Sequence, residues 1–114
     1  MSKLVTKTLQ FDAAEAAGIK GFNVYYCKEA EGPLFHVDPV TNEIVYDKPF
    51  IFVPAIALQT AYSLVLPGET GMTDGSYLLG VAAVDAEGNI SDISEITYFF
   101  DFTPPKKPLN VRIG

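Results

Sequence analysis

Short runs of β-branched and aromatic residues, separated by glycine, proline, asparagine and aspartate about every 8–12 residues, extend through most of this sequence. Within these runs apolar and polar side chains tend to alternate, which is typical of strands with one buried face. No long helical segment separates the runs, so a parallel α/β sheet is disfavoured. The pattern predicts an all-β sandwich of about seven strands.

The predicted strands follow the runs. Pro49 and Pro54 bracket the run 50–53, and because proline has no N–H to donate, this run is predicted to be an edge strand or an extended loop. Residues 12–17 are too few for an independent helix before Gly18 and are predicted to be a loop. The other predicted strands are 4–11, 21–28, 34–37, 43–47, 60–66, 77–84 and 93–102.

The composition indicates one folded domain. The chain has 114 residues, of which 48% are hydrophobic and 19% charged, as in globular domains. Its net charge of −6 disfavours non-specific binding to nucleic acid or to an anionic membrane. A single cysteine excludes an intrachain disulfide and a cysteine-rich zinc site, and we expect no cofactor.

The sequence also bears on localisation. No apolar run approaches the roughly 18 residues of a membrane span. The N-terminus lacks the apolar core of a secretory signal. We therefore expect a cytoplasmic protein, or an extracellular or virion-associated one if the chain belongs to a larger assembly.

Three segments resemble a fibronectin type III domain. Segment 9–13, LQFDA, is similar to the second strand of that family, with Phe11 where the family usually has tryptophan. Segment 19–26, IKGFNVYY, is similar to the third strand. Segment 74–91 is similar to the sixth strand and its hairpin into the seventh. The resemblance implies an immunoglobulin-like β-sandwich without catalytic activity, acting in protein binding or as a structural module.

The resemblance extends over residues 4–103, and we expect the sandwich domain to be 1–103. It implies that the Tyr77 hydroxyl ties down the loop before its strand. The residues expected to form the structural core are Phe11, Phe22, Val24, Tyr77, Leu79 and Val81.

The C-terminal segment 104–114 stands apart from this domain. The sequence shows no convincing first strand before Leu4, yet PPKKPLNVRI, at 104–113, resembles the proline-rich joint and first strand of tandem fibronectin arrays. Residues 106–114 hold three basic groups (+3), and residues 1–105 hold 5 basic and 14 acidic groups (−9), which sum to −6. A missing first strand leaves the second strand as an exposed edge, which folded proteins generally cover.

Three fates of this segment stay open. It supplies the first strand to a second molecule, as a swapped dimer or a filament. It docks on its own domain in the reversed direction, or it is a flexible terminus or the remnant of a joint. The first fate makes the chain a protein-binding or self-assembling module with a protein or a second copy as partner. The interaction residues are then Pro105, Lys106, Lys107, Leu109, Val111 and Ile113.

Catalytic and metal sites have weak support in the sequence. A hairpin centred on residues 31–32 places Cys27 opposite His36, but no orienting group or oxyanion loop accompanies the pair. Asp85, Glu87, Asn89 and Asp92 resemble the start of a calcium loop, whose pattern fails at positions 90 and 96. We expect a non-catalytic protein in which residues 87–89 form a hairpin turn.

A ligand- or carbohydrate-binding accessory module is the alternative function. The chain has 14 aromatic residues, 6 Tyr and 8 Phe, but no tryptophan. Tyr25, Phe35, Tyr46 and Phe99 fall where the buried face is ambiguous. If several of them share one exposed patch, that patch is a binding surface.

Overall fold

The computed structural model describes residues 6–13, 18–68, 70–103 and 109–114. In this part of the chain the regular structure is β-strand, apart from one 3-10 turn at Glu29–Glu31. The all-β prediction is therefore confirmed. The strands are β1 Lys7–Asp12, β2 Ile19–Lys28, β3 His36–Val37, β4 Ile44–Val45, β5 Phe50–Pro54, β6 Ala61–Leu66, β7 Gly75–Asp85 and β8 Ser94–Phe100.

The described strands form antiparallel sheets in two layers. One sheet has the order β5-β2-β7-β8, and a two-strand sheet, β1-β6, packs across one of its faces. We call this covered face the inner face and the opposite one the outer face. A third pair, β3-β4, forms a short hairpin in the segment between β2 and β5. The arrangement is consistent with a β-sandwich.

Pro49 precedes β5 and Pro54 is its last residue, as suits a strand at the edge of the sheet. β5 pairs with β2 and, in the described chain, with no strand on its other side. This confirms that the run between Pro49 and Pro54 is an edge strand. A proline at either end is tolerated there because the outer side of an edge strand donates to no neighbour.

Aromatic rings of Phe11, Phe22 and Tyr62 join the two layers. The centroid of Phe11 lies 5.2 Å from that of Phe22 and 5.6 Å from that of Tyr62. Phe22 and Tyr62 are 4.8 Å apart. The three rings pack together through one edge-on, one stacked and one tilted contact.

The expected core residues divide into two groups. Phe22, Val24, Tyr77 and Leu79 are buried. Phe11 and Val81 are only partly buried, because both line a groove at the margin of the β1-β6 layer. The inner core continues beneath the other half of that layer through Leu66, Met72, Phe100 and Phe102.

A second core lies on the outer face. Tyr25, Cys27 and Ala82 point to that face and are buried, together with Leu34 from the segment after β2. Leu34 and Ile93 both pack against the backbone of Gly80. A Cβ added to this glycine would lie 2.8 Å from Cδ1 of Leu34 and 2.3 Å from Cδ1 of Ile93. The alternation along β2 therefore separates two buried faces, not a buried and a solvated one.

Two tyrosine hydroxyls fix the loops that precede their strands. The Tyr77 hydroxyl accepts a hydrogen bond from the Thr73 amide at 3.1 Å, as the family resemblance implies. The Tyr62 hydroxyl does the same for the loop before β6, accepting from the Ile56 amide at 3.2 Å and lying 3.0 Å from the Gln59 carbonyl. Both loops are thereby held against the sandwich.

The second core makes a mutational prediction. Leu34→Ala should lower the free energy of unfolding by about 2–5 kcal/mol, because the Leu34 side chain is fully buried and its truncation leaves a cavity. The matched control is Val40→Ala in the same segment, where the side chain is 90% exposed and the change should be within about 0.5 kcal/mol. Urea unfolding measures both, and equal small effects would contradict a packed outer face.

Candidate functional site

One edge of β1 is open. β1 pairs with β6 along its whole length, and in the described residues no strand pairs with its other side. The Ala13 amide donates to the Thr60 carbonyl at 2.7 Å, so Ala13 faces β6. Since backbone groups alternate along an antiparallel strand, those of Thr8, Gln10 and Asp12 point away from β6. This open edge offers donors and acceptors to a further strand.

An apolar groove runs beside the open edge. Its floor is the inner face of β7 and β8, where Leu79 is buried while Ile96 and Tyr98 remain 51% and 45% exposed. Two neighbouring cavities form it, one of about 280 Å³ beside the first half of β1 and one of about 290 Å³ beside the second half. We call this feature the edge groove. It has the length of β1 and lies where a third strand would complete the small sheet.

The two ends of the edge groove differ in charge. Beside its first half, Lys7 and its neighbours lie near Tyr98 and Phe100, where β8 ends. Beside its second half, the end of β1 at Asp12 lies near Asp92, just before β8 begins. β1 and β8 therefore run in opposite directions along the groove. We call the Lys7 end the exit end and the Asp12 end the acidic end.

The described tail, 109–114, does not occupy the groove. It forms no strand, and Leu109, Val111 and Ile113 are 79%, 85% and 103% exposed. Docking of these residues on their own domain is therefore absent from this structure. Pro105, Lys106 and Lys107, the other expected interaction residues, lie outside the described residues.

Asp74 fixes the point at which the chain leaves the sandwich. Its carboxylate accepts hydrogen bonds from the Phe102 amide at 2.7 Å and from the Thr103 hydroxyl at 2.5 Å. The Thr103 hydroxyl, then the Phe102 amide, hold the pKa of the Asp74 carboxyl below its usual value. The sequence offered no signal for this contact, because the partners are 28 and 29 residues away.

The expected pairing of Cys27 with His36 is wrong. β2 continues to Lys28, where Cys27 pairs with Leu78, while His36 pairs with Val45 in the β3-β4 hairpin. The prediction failed because a 3-10 turn, not a hairpin, follows β2. Burial also raises the pKa of the Cys27 thiol, which lowers its fraction of nucleophilic thiolate.

Asp85, the last residue of β7, organises the turn that follows this strand. The Asp85 carboxylate accepts hydrogen bonds from the amides of Glu87 and Asn89 at 2.9 and 2.8 Å and from the Asn89 side chain at 3.0 Å. Gly88 has a φ of +88°, which a side chain would disfavour. The described residues contain no group of three or more potential metal-ligating side chains.

The four aromatic residues of ambiguous face do not share a patch. The ring centroids of Tyr25 and Tyr46 are 5.1 Å apart, and that of Phe35 is 6.1 Å from that of Tyr46. All three belong to the outer core. Phe99 is 66% exposed and lies on β8. Three of the four are therefore committed to packing.

Comparison with protein-family models, with curated proteins and with solved structures found no match to this chain. No helix in the described part of the chain has the length and apolar character needed to cross a membrane. The edge groove and the tail are therefore the features of this molecule that bear on its function.

The Asp74 contact predicts a pH dependence. Because the folded-state pKa of this carboxyl is lowered, its hydrogen bonds stabilise the fold above the unfolded-state pKa, and this contribution is lost as pH falls through the folded-state pKa. A carboxyl carbon NMR titration should place Asp74 below an ordinary aspartate. Asp74→Asn should reduce the loss of folding free energy that accompanies falling pH, because asparagine carries no titrating carboxyl. An ordinary titration of Asp74 would contradict the contact.

Proposed function

We propose that this chain is a non-catalytic protein-interaction and assembly module of the fibronectin type III kind, which self-associates when the tail of one molecule adds a strand to β1 of another. The observation that carries the proposal is the open edge of β1 beside an apolar groove, in a chain whose tail exposes Leu109, Val111 and Ile113. Strand addition of this kind uses backbone bonds for affinity and alternate side chains for fit.

The strand order supports the family assignment within this proposal. The resemblance equates β1, β2, β7 and β8 with the second, third, sixth and seventh strands of the family. In that assignment the first strand belongs beside β1, where the edge groove lies. The groove therefore has the position of a family strand that the described residues do not supply.

The tail matches the groove in pattern and length. Residues Leu109, Val111 and Ile113 alternate with Asn110 and Arg112, so an extended tail presents one apolar side to the floor. Five extended residues span about 17 Å and the six of β1 about 20 Å, at roughly 3.3 Å per residue. The tail thus covers most of the open edge.

The association should be weak and reversible. Burial of an aliphatic side chain contributes about 1.5–3 kcal/mol, and the tail has three of them. Ordering each residue costs about 1–2 kcal/mol of backbone entropy, and five residues become ordered. These terms nearly offset, and bringing two molecules together also costs translational and rotational freedom. Association therefore depends on backbone hydrogen bonds at the open edge and on covering Ile96 and Tyr98.

Carbohydrate binding is the less well supported alternative. It needs several exposed rings on one surface, and the outer core contains Tyr25, Phe35 and Tyr46. Strand addition, in contrast, uses a groove and a tail that are both accessible in this structure.

Size-exclusion chromatography with light scattering tests the proposal. The full chain should show a mass that rises with concentration, while a chain ending at Thr103 should remain monomeric. Val111→Asp should also be monomeric because it places a charge on the apolar side, whereas Val111→Ile keeps that side apolar and should still associate. A full chain that is monomeric at every concentration would refute self-association.

A proline substitution tests the acceptor. The Gln10 amide points away from β6, so Gln10→Pro removes a donor that the incoming strand needs and leaves the β1-β6 ladder intact. Gln10→Pro should abolish association, and Gln10→Thr, which retains the amide, should not. A mixture of Gln10→Pro and Val111→Asp should form a one-to-one heterodimer, because each chain retains the half that the other lacks. Two persistent monomers would contradict this mechanism.

A further inference from the structure

We propose that the donated tail runs antiparallel to β1 and enters at the acidic end, so that molecules join head to tail in an open chain. This inference rests on the proposed function and specifies how its two halves meet. The alternatives are a parallel tail, folded back on its own domain, and a closed pair that exchanges tails.

The direction of β8 determines how a tail can run along the edge groove. The chain leaves β8 at the exit end, beside Lys7, and β1 runs from that end towards Asp12. A tail that turned back into its own groove would therefore run parallel to β1. A tail from another molecule is free to enter at the acidic end and to run antiparallel, which is the slightly more stable pairing per residue.

Charge favours the same direction. In the sequence Lys106 and Lys107 come just before Leu109. An antiparallel tail brings these two cations to the acidic end, where Asp12 and Asp92 line the groove. A parallel tail brings them to the exit end, which contains Lys7. Opposite charges at the entrance also favour encounter in the right orientation.

The proline-rich joint favours an open chain over a closed pair. Residues 104–108 read PPKKP, and such sequences prefer an extended form of about 3.1 Å per residue. In a head-to-tail chain the tail continues in the direction of β8 into the next molecule. In a closed, two-fold symmetric pair it would have to reverse direction within the joint. A contact between two different surfaces that does not close generates a filament.

Side-chain alternation limits the antiparallel register to two choices. Leu109, Val111 and Ile113 must lie on the same face as Leu9 and all lie opposite residues 7–13, so Leu109 lies opposite either Ala13 or Phe11. In the first register Asn110 lies opposite Asp12, and in the second Arg112 lies opposite Thr8. Thr8 and Asp12 are exposed, so cysteines placed there are accessible to a partner.

Disulfide cross-linking of the full chain distinguishes these arrangements. Two double variants report antiparallel pairing: Asp12→Cys with Asn110→Cys, and Thr8→Cys with Arg112→Cys. The exchanged combinations, Asp12→Cys with Arg112→Cys and Thr8→Cys with Asn110→Cys, report parallel pairing. The native Cys27 is buried, so it should not compete for oxidation in these variants.

Under mild oxidation, at least one antiparallel variant should give a ladder of covalent multimers on a non-reducing gel. The parallel variants should give no such ladder. Which antiparallel variant reacts identifies the register. Intrachain disulfides or multimers from the parallel variants would overturn the orientation. A cross-linked product that stops at a dimer would contradict the open head-to-tail chain. If the protein associates but none of the variants cross-links, strand addition at the edge of β1 is contradicted.

Different experimental outcomes would refute the orientation of the tail and the proposed function. If the unmodified full chain is a monomer in light scattering, self-association itself is refuted. If it associates but the parallel variants cross-link, strand addition stands and only the direction is wrong.

Discussion

The pairing of β2 with β7 is the interaction on which the rest of the molecule depends. These two central strands place side chains into two cores at once: Phe22, Val24 and Leu79 on the inner face, and Tyr25 and Cys27 on the outer face. The β1-β6 layer covers the first face and the segment after β2 covers the second. Both layers pack well only in the observed register of β2 and β7, because a shift by one residue would exchange the side chains of the two faces.

The inner cover is narrower than the sheet beneath it. Two strands lie over a sheet that has four in the described residues, so the inner face of β8 stays half exposed at Ile96 and Tyr98. The same shortfall leaves one edge of β1 open. An open edge and an exposed apolar floor are thus one structural consequence, and both would be satisfied by one added strand.

Local pattern predicted the strands well where a turn or a proline bounded them. The edge position of β5 followed from Pro49 and Pro54, and the contact of Tyr77 with Thr73 followed from the family resemblance. The contact of Asp74 with Phe102 and the burial of Leu34 were not predictable, because each joins residues far apart in the chain. The pairing of Cys27 with His36 did not form because a 3-10 turn follows β2 in place of the assumed hairpin.

The sequence by itself determined the strands, their turns and the apolar alternation of Leu109, Val111 and Ile113, since these depend on neighbours in the chain. Only the tertiary structure decided that both faces of the central sheet are covered, and that the uncovered surface lies beside β1. The physical reason is that a period of two separates the faces of a strand but does not tell which distant segment packs on each.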